Sequence, residues 1–488
     1  THYQSHVRIT SSTHTYFDSS YSEKRNMAKD VVLPLGLSVI QKRFVFDPKN
    51  YRGLQITSQM SKLVERIIGD LCFPRLIDNG LFGDSQFAYT PKRSARDALL
   101  YLVLTWLLCF AQGIRVGLYC SDVSGAFDKV PAERLLQKLG AWAPRKTFLD
   151  VVTNWLRPRT ARVVVAGESS TEMVMKDMVY QGTVWGPWLW NTFFRDAAPV
   201  LRKHLFQEIV FADDLNAFKT YGRDTVNTRI YADLHKVQQE LHRWGNANQV
   251  AFDAGKEFFH ILSRLYKDRG PDGGNFRLLG ICFDPKLLMG DAVHECVGVC
   301  HWKLQGILRA KRFYSTAELV GLYKAHILSY IEYRTPGIAH AAATVLAPID
   351  AIQARFLREI GLSEEDALLS FKLAPLHTRR DIAMLGVIHR AALGHGPLHF
   401  RKLFPLSHWP PPGNHGRHIR DRTMEYNQEY FRRSAFGYVK VYNSLSPEDV
   451  EPGDVKRFQR KLQAMVCEMV ANHVVCWQNA LRITEDDD

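Results

Sequence analysis

Long apolar runs are missing from this sequence. The longest, Ala98 to Ala111 (ALLYLVLTWLLCFA), has 14 residues, whereas a membrane-spanning helix needs roughly 18 or more. It reads as a buried helix, and no membrane partner is expected. Cysteine is sparse: eight thiols are scattered over 488 residues without a CxxC pair, which excludes a disulfide scaffold and fits a reducing, intracellular compartment. Cys296, Cys300 and His301 come nearest to a metal cluster. No second ligand pair stands at zinc-finger spacing, so buried thiols are the expectation there. An acidic excess is missing too. The 63 Lys and Arg against 50 Asp and Glu leave a formal charge of +13, a balance that favours a polyanionic partner such as nucleic acid.

What is present is enough for a large core. At 46% hydrophobic residues, a chain of this length folds into roughly two to four units. Residues 1–30, rich in Ser, Thr and Tyr without an apolar period, read as a mobile or incomplete lead-in. Short apolar runs from Val31 to Thr57, broken by Pro and Gly, predict strands and turns. Ser58 to Ile77 predicts a helix, capped at Ser61, with Leu63, Val64, Ile67, Ile68 and Leu71 at helical spacing. A second helix is predicted from Ser94 to Phe110. Val116, Leu118, Cys120 and Asp122 then alternate with the period of a strand. Ala132–Leu139 and Leu149–Leu156 read as helices and Arg162–Ala166 as a β-branched strand. Glu208–Thr220 (EIVFADDLNAFKT) predicts a hairpin with its two acids at the tip. Beyond Gly290 the character turns helical, with apolar stripes over Thr316–Ile331, Val345–Ile360 and Thr378–Leu393. Residues 405–417, dense in Pro and Gly, read as a linker before a basic helical segment from Asp454 to Leu481.

The acids carry the chemistry. Nucleotidyl transfer uses two divalent ions about 4 Å apart, one activating the attacking oxygen and one holding the triphosphate. Such hard cations take oxygen ligands, chiefly carboxylates. Asp122 ends one apolar strand, and Asp213 and Asp214 sit within another, so neighbouring strands would bring the three together. An isolated Asp-Asp pair is ordinarily a solvated turn. Here apolar residues flank the pair closely, where an uncompensated doublet is costly. Because successive strand residues face opposite sides, Asp213 is expected to share the metals with Asp122. Asp214 is then left to support by charge or through water.

These segments and their order resemble the reverse transcriptases of non-LTR retrotransposons, over most of residues 31–465. CSDVSGAFDKV (120–130) resembles that family's first catalytic motif, QGTVWGP (181–187) its template- and nucleotide-contacting motif, and FADDL (211–215) its second catalytic motif. NYRGLQITSQMSKLVERI (50–67) and QFAYTPKRSARDALL (86–100) look like fingers segments, and RLLGICFD (277–284) looks like the primer grip. The resemblance implies an α+β right-hand polymerase, with fingers and an antiparallel palm sheet packed on helices over 31–288. A helical thumb and connection (289–404), the linker (405–417) and a basic helical C-terminal region (418–488) follow. It implies two Mg²⁺ ions, for which Mn²⁺ substitutes, on Asp122, Asp213 and Asp214. It places Phe127 as the gate against a ribose 2′-OH, Gln181 and Gly182 at the nascent base pair, where a missing Cβ permits close approach, and Lys256 at the triphosphate. The partners implied are an RNA template, a DNA primer and deoxynucleoside triphosphates. The location implied is the nucleus or cytoplasm, as a ribonucleoprotein.

The chain departs from the family pattern at Ala88-Tyr89-Thr90, where Gly-Phe-Arg is usual, at Tyr180 in place of proline, at Asp253 in place of asparagine, and in the crowding of Trp185, Trp188 and Trp190. These departures keep a second reading open, that of a decayed element or a nucleic-acid-binding protein without catalysis. A group II intron-like maturase is a third. Ala212 and Phe127 argue against a viral RNA-dependent RNA polymerase.

Overall fold

The computed structural model describes residues 35–40, 51–142, 145–165, 167–264, 274–408 and 415–482; the lead-in expected over 1–30 lies outside them. The chain forms two units. One comprises Thr1–Tyr89, Asp122–Val200 and Glu240–Ala254, the other Thr90–Ser121, Leu201–Gln239 and Gly255–Asp488.

In the first unit, strand Tyr51–Ile56 runs antiparallel to Leu35–Ile40, which lies parallel to Arg159–Val165. Glu168–Ser169 and Met173–Met175 complete this sheet on Arg159–Val165. The helix Gln59–Asp78 is capped by Ser58, whose hydroxyl accepts the Ser61 N–H at 3.0 Å. The cap thus lies three residues before the expected Ser61, which supplies the capped N–H. Its buried residues are Glu65, Gly69 and Phe73, spaced four apart and hence on one face. Leu63, Val64, Ile67 and Leu71, at 47 to 73% exposure, face away. The inward face is chosen by what it meets. Phe73 packs on Trp188 and Phe148, with ring centroids 4.6 and 5.6 Å apart, within a core that holds Tyr180, Trp185, Trp190 and Phe193.

In the second unit, a four-stranded antiparallel sheet runs Gln207–Phe211, Asp214–Tyr221, Arg115–Ser121, Phe258–Leu262. All seven residues of Arg115–Ser121 are buried, as a central strand covered on both faces requires. The helix Ala95–Ala111, capped by Ser94, is buried along nearly its whole length, which its all-round apolar sequence demands. Trp106 on this helix meets Phe218 of the sheet and Phe276 and Phe283 of the Phe276–Leu278/Ile281–Phe283 ribbon, at 6.2 to 6.5 Å. Among the described residues, no helix is long and apolar enough to cross a membrane.

The later chain is helical. Gly290–Arg309 and Ala343–Ile360 pack together, and Leu376–Ala392 packs on Val455–Ala471, with His389 stacked on Phe458 at 4.0 Å. Cys296 and Cys300 are fully buried one turn apart on Gly290–Arg309. Of the 405–417 segment, residues 409–414 lie outside the described residues. The flanks are folded: Leu406 bridges Ile419, and His415 Nε2 lies 3.0 Å from the Tyr442 carbonyl. Segregated helices with an antiparallel sheet make the architecture α+β.

Candidate active site

The sheet of the second unit sets out the acidic pair. Phe211 and Asp214 face each other as the last pair of a hairpin, so its turn consists of Ala212 and Asp213 alone. Ala212 takes φ +59°, the positive value that a two-residue hairpin turn imposes on its first central residue and that glycine adopts most easily. The expectation of a hairpin holds. Its tip carries only one of the acids: Asp213 is in the turn and half-buried, and Asp214 opens the second strand and is exposed. Asp214 also makes itself felt across the sheet. Burial, and then the Asp214 carboxylate, push the Cys120 thiol up. Cys120 lies on Arg115–Ser121, where Ser121 pairs with Leu215, the residue after Asp214.

Asp122 follows Ser121 in the chain and belongs to the first unit. It is 8% exposed, and its carbonyl accepts the Asp253 N–H at 2.9 Å. Val123 bridges Phe252, and Ser124 N–H bonds the Ala251 carbonyl at 2.9 Å. The segment that carries Asp253 is therefore a backbone splint for the Asp122–Ser124 segment. Among the described residues, no three His, Cys, Asp or Glu side chains are gathered as a metal site. Asp213 and Asp214 are brought together by the hairpin, and Asp122 lies in the other unit. As donors, all three offer the hard carboxylate oxygens that Mg²⁺ and Mn²⁺ take.

Past Asp122 the chain turns through Gly125, at φ +65°, into the short 3₁₀ helix Ala126–Lys129. This leaves Phe127 half-buried, its ring stacked on Trp190 at 5.7 Å and its carbonyl accepting the Val179 N–H. Gln181 is half-buried, and its Nε2 lies 3.5 Å from the Asp128 carboxylate. Its carbonyl accepts the Gln55 N–H at 3.0 Å. Gly182, at φ +96°, is exposed, and a Cβ there would lie 2.6 Å from the Gln55 carbonyl oxygen. The close approach that demands this glycine within the chain is to the Tyr51–Ile56 strand. Lys256 is exposed at the end of the Ala254–Lys256 turn.

One residue escaped the sequence reading. Glu65 is 3% exposed, and its carboxylate accepts Trp155 Nε1–H at 2.9 Å and the Val184 and Trp185 N–H groups at 2.8 and 3.2 Å. Its carbonyl accepts Trp185 Nε1–H at 2.6 Å. A single buried acid thus holds the loop that carries Gln181 and Gly182. The available signal was the spacing of Glu65, Gly69 and Phe73, which marks a helix face opposite the apolar stripe. The same packing explains two departures. Trp185 and Trp190 are fully buried, and Tyr180, also buried, donates its OH to the Arg157 carbonyl at 3.1 Å. At the Ala88-Tyr89-Thr90 departure, Ala88 is buried and its carbonyl accepts Asn191 Nδ2–H at 2.9 Å, whereas Tyr89 is exposed at φ +55°.

Comparison with known proteins bears on these residues directly. Residues 40–281 match the family model described as reverse transcriptase (RNA-dependent DNA polymerase), which takes in Asp122, Phe127, Gln181, Gly182, Asp213, Asp214 and Lys256. A Drosophila melanogaster protein named "Probable RNA-directed DNA polymerase from transposon BS" is 28% identical over 149 residues, which are 30% of this chain and 16% of that protein. Among solved structures, telomerase from Candida tropicalis in complex with a fragment of telomeric RNA aligns with TM-score 0.37 and 9% identity, over 72% of this chain and 62% of that one. Telomerase from Candida albicans aligns with TM-score 0.35 and 11% identity, over 69% and 60%. The family uses divalent metal ions, in keeping with the carboxylate donors present. Residues 40–281 of this chain are a reverse transcriptase domain.

Proposed function

We propose that the chain is an RNA-directed DNA polymerase of a non-LTR retrotransposon, extending a DNA primer on an RNA template from deoxynucleoside triphosphates. The observation that carries this is the hairpin register. The strand that opens with Asp214 runs beside the strand that leads into Asp122, with Ser121 opposite Leu215. Asp122, Asp213 and Asp214 would hold two Mg²⁺ ions, replaceable by Mn²⁺, which would supply activation of the primer 3′ oxygen and neutralise charge on the triphosphate. Asp213, in the turn, would be a metal ligand with Asp122, and Asp214 would support by its charge. Phe127 closes the space beside the sugar, held by its stack on Trp190. Gln181 and Gly182 line the nascent base pair, and Lys256 meets the triphosphate. Template and primer are gripped through phosphate contacts by a chain of net charge +13.

Purified protein with Mg²⁺ or Mn²⁺ is expected to extend a DNA primer on an RNA template. Asp213→Ala should abolish extension without moving the melting temperature. Failure of the folded, unmutated protein under either metal overturns the enzymatic reading in favour of a nucleic-acid-binding protein without catalysis. Phe127→Ala is expected to admit ribonucleotides; unchanged discrimination between ribose and deoxyribose would remove the gate role.

A further inference from the structure

Four helices of the second unit meet around a cavity of about 280 Å³. Ala95–Ala111 contributes Arg96, Leu376–Ala392 contributes Arg379 and Arg380, and Val455–Ala471 contributes Lys456 and Arg460. Ser329–Ile338 brings Glu332, the single carboxylate of the lining. Glu332 is taken by Arg379 at 2.6 Å, and Arg380 is held bidentately by Asp350 at 2.7 Å. The side chains of Arg96, Lys456 and Arg460 have no carboxylate partner among the described residues.

Two of these three cations stand where folding disfavours them. Arg96 and Lys456 lie in the first turns of 17-residue helices, at the positive ends of the helix dipoles, where acids are stabilising and bases are not. The acids that do stand there are engaged: Asp97 pairs with Arg390, and Asp454 accepts the Lys456 N–H as the helix cap. Five cationic side chains therefore line one small cavity at two helix N-termini; Glu332 and Asp350 pair two of them, and the exposed Arg96, Lys456 and Arg460 are left without a carboxylate. Like charges so placed repel unless an anion lies among them. The volume lies near the lower limit of ligand pockets, room for a phosphodiester group with part of its sugars and too little for a large cofactor.

We propose that this cavity binds a backbone phosphate of single-stranded RNA, on residues other than the acids Asp122, Asp213 and Asp214. The proposal rests on the reading of the chain as an RNA-templated polymerase, whose template would supply the phosphate. Its test needs neither metal nor nucleotide. The full chain is titrated against a fluorescein-labelled single-stranded RNA at several salt concentrations, comparing the unmutated protein with a Lys456→Glu/Arg460→Glu variant. Arg457→Glu, an exposed change on the same helix outside the cavity lining, is the charge control.

The double variant is expected to weaken binding by about tenfold or more, and to flatten the logarithmic salt dependence by about 0.7 for each phosphate that is no longer neutralised. Arg457→Glu should change both far less, and all three proteins should melt alike. Equal losses in the control, or no loss in the double variant, overturn the site. Displacement of the labelled RNA by inorganic pyrophosphate as effectively as by unlabelled RNA at equal phosphate concentration overturns the assignment to a nucleic-acid backbone. Failure of the polymerase reading shows separately, as absence of primer extension by an unmutated protein that still binds RNA in this assay.

Discussion

Removing the Glu65 carboxylate tests whether one buried acid holds the loop that carries Gln181 and Gly182. In Glu65→Ala, three donors that now meet a charged acceptor, Trp155 Nε1–H and the Val184 and Trp185 N–H groups, lose it in surroundings where Trp185 is 1% exposed. A hydrogen bond to a charged group contributes about 1.5–3 kcal/mol, and an unsatisfied buried donor costs a similar amount. The three share one acceptor and do not add fully, so a net loss of about 3–5 kcal/mol is expected, a large part of a typical domain's stability. Glu65→Gln keeps one acceptor oxygen for the two backbone donors but turns an amide N–H towards Trp155, so it should lose about 1–3 kcal/mol. Urea unfolding followed by tryptophan fluorescence reports on this site, because Trp155 and Trp185 bond Glu65 and Trp188 packs on Phe73 of the same helix face. The order of midpoints should be unmutated protein, Gln, Ala. Primer extension should fall in the same order, since the loop also carries Gln181 and Gly182. A Glu65→Ala protein with an unchanged midpoint and unchanged extension would refute the reasoning.

Two further outcomes follow from single residues. Gly182→Ala places a Cβ 2.6 Å from the Gln55 carbonyl at φ +96°, so it should destabilise by about 2 kcal/mol or more and expose the Tyr51–Ile56 strand to faster amide exchange; wild-type exchange there would contradict the close approach. His340 is buried, its Nε2–H donating to the Leu287 carbonyl at 3.0 Å, and burial lowers its pKa to about 4 from 6.5. The unfolded chain therefore takes up this proton first as pH falls. The stability contribution is whole above pH 6.5 and is lost on the way down to about pH 4, with roughly 2 kcal/mol gone by pH 5. Urea midpoints at pH 7 and pH 5 should separate accordingly, and less so in His340→Gln; equal separation in both proteins would assign the loss elsewhere, for instance to His389, which burial also lowers to about 4.

Much of the fold was legible because local patterns carry their own physics. The alternation of Val116, Leu118 and Cys120 gave the central strand, and the apolar run from Ala98 gave the buried helix. The doublet in FADDL, flanked by apolar residues, gave the hairpin. What pattern does not carry is the choice of partner. On Gln59–Asp78, the stripe from Leu63 to Leu71 was the apolar face, yet the face that packs holds Glu65, Gly69 and Phe73, because tryptophans more than 110 residues later supply both ring contacts and hydrogen-bond donors to it. The turn at Ala212 and Asp213 likewise placed one acid at the tip and one in the strand, a division that follows from hairpin register.

By itself, then, the sequence determined which segments become the central strand, the buried helix and the acidic hairpin, and the family of residues 40–281. Only the tertiary structure decided that Gly182 answers to the Gln55 carbonyl, that Glu65 faces inward, and that Arg96 shares a cavity with Arg460, 364 positions away. The physical reason is range. Backbone periodicity and turn chemistry act over a few residues, whereas burial, close approach and the summed charge of a cavity depend on which distant segments the packed core brings together.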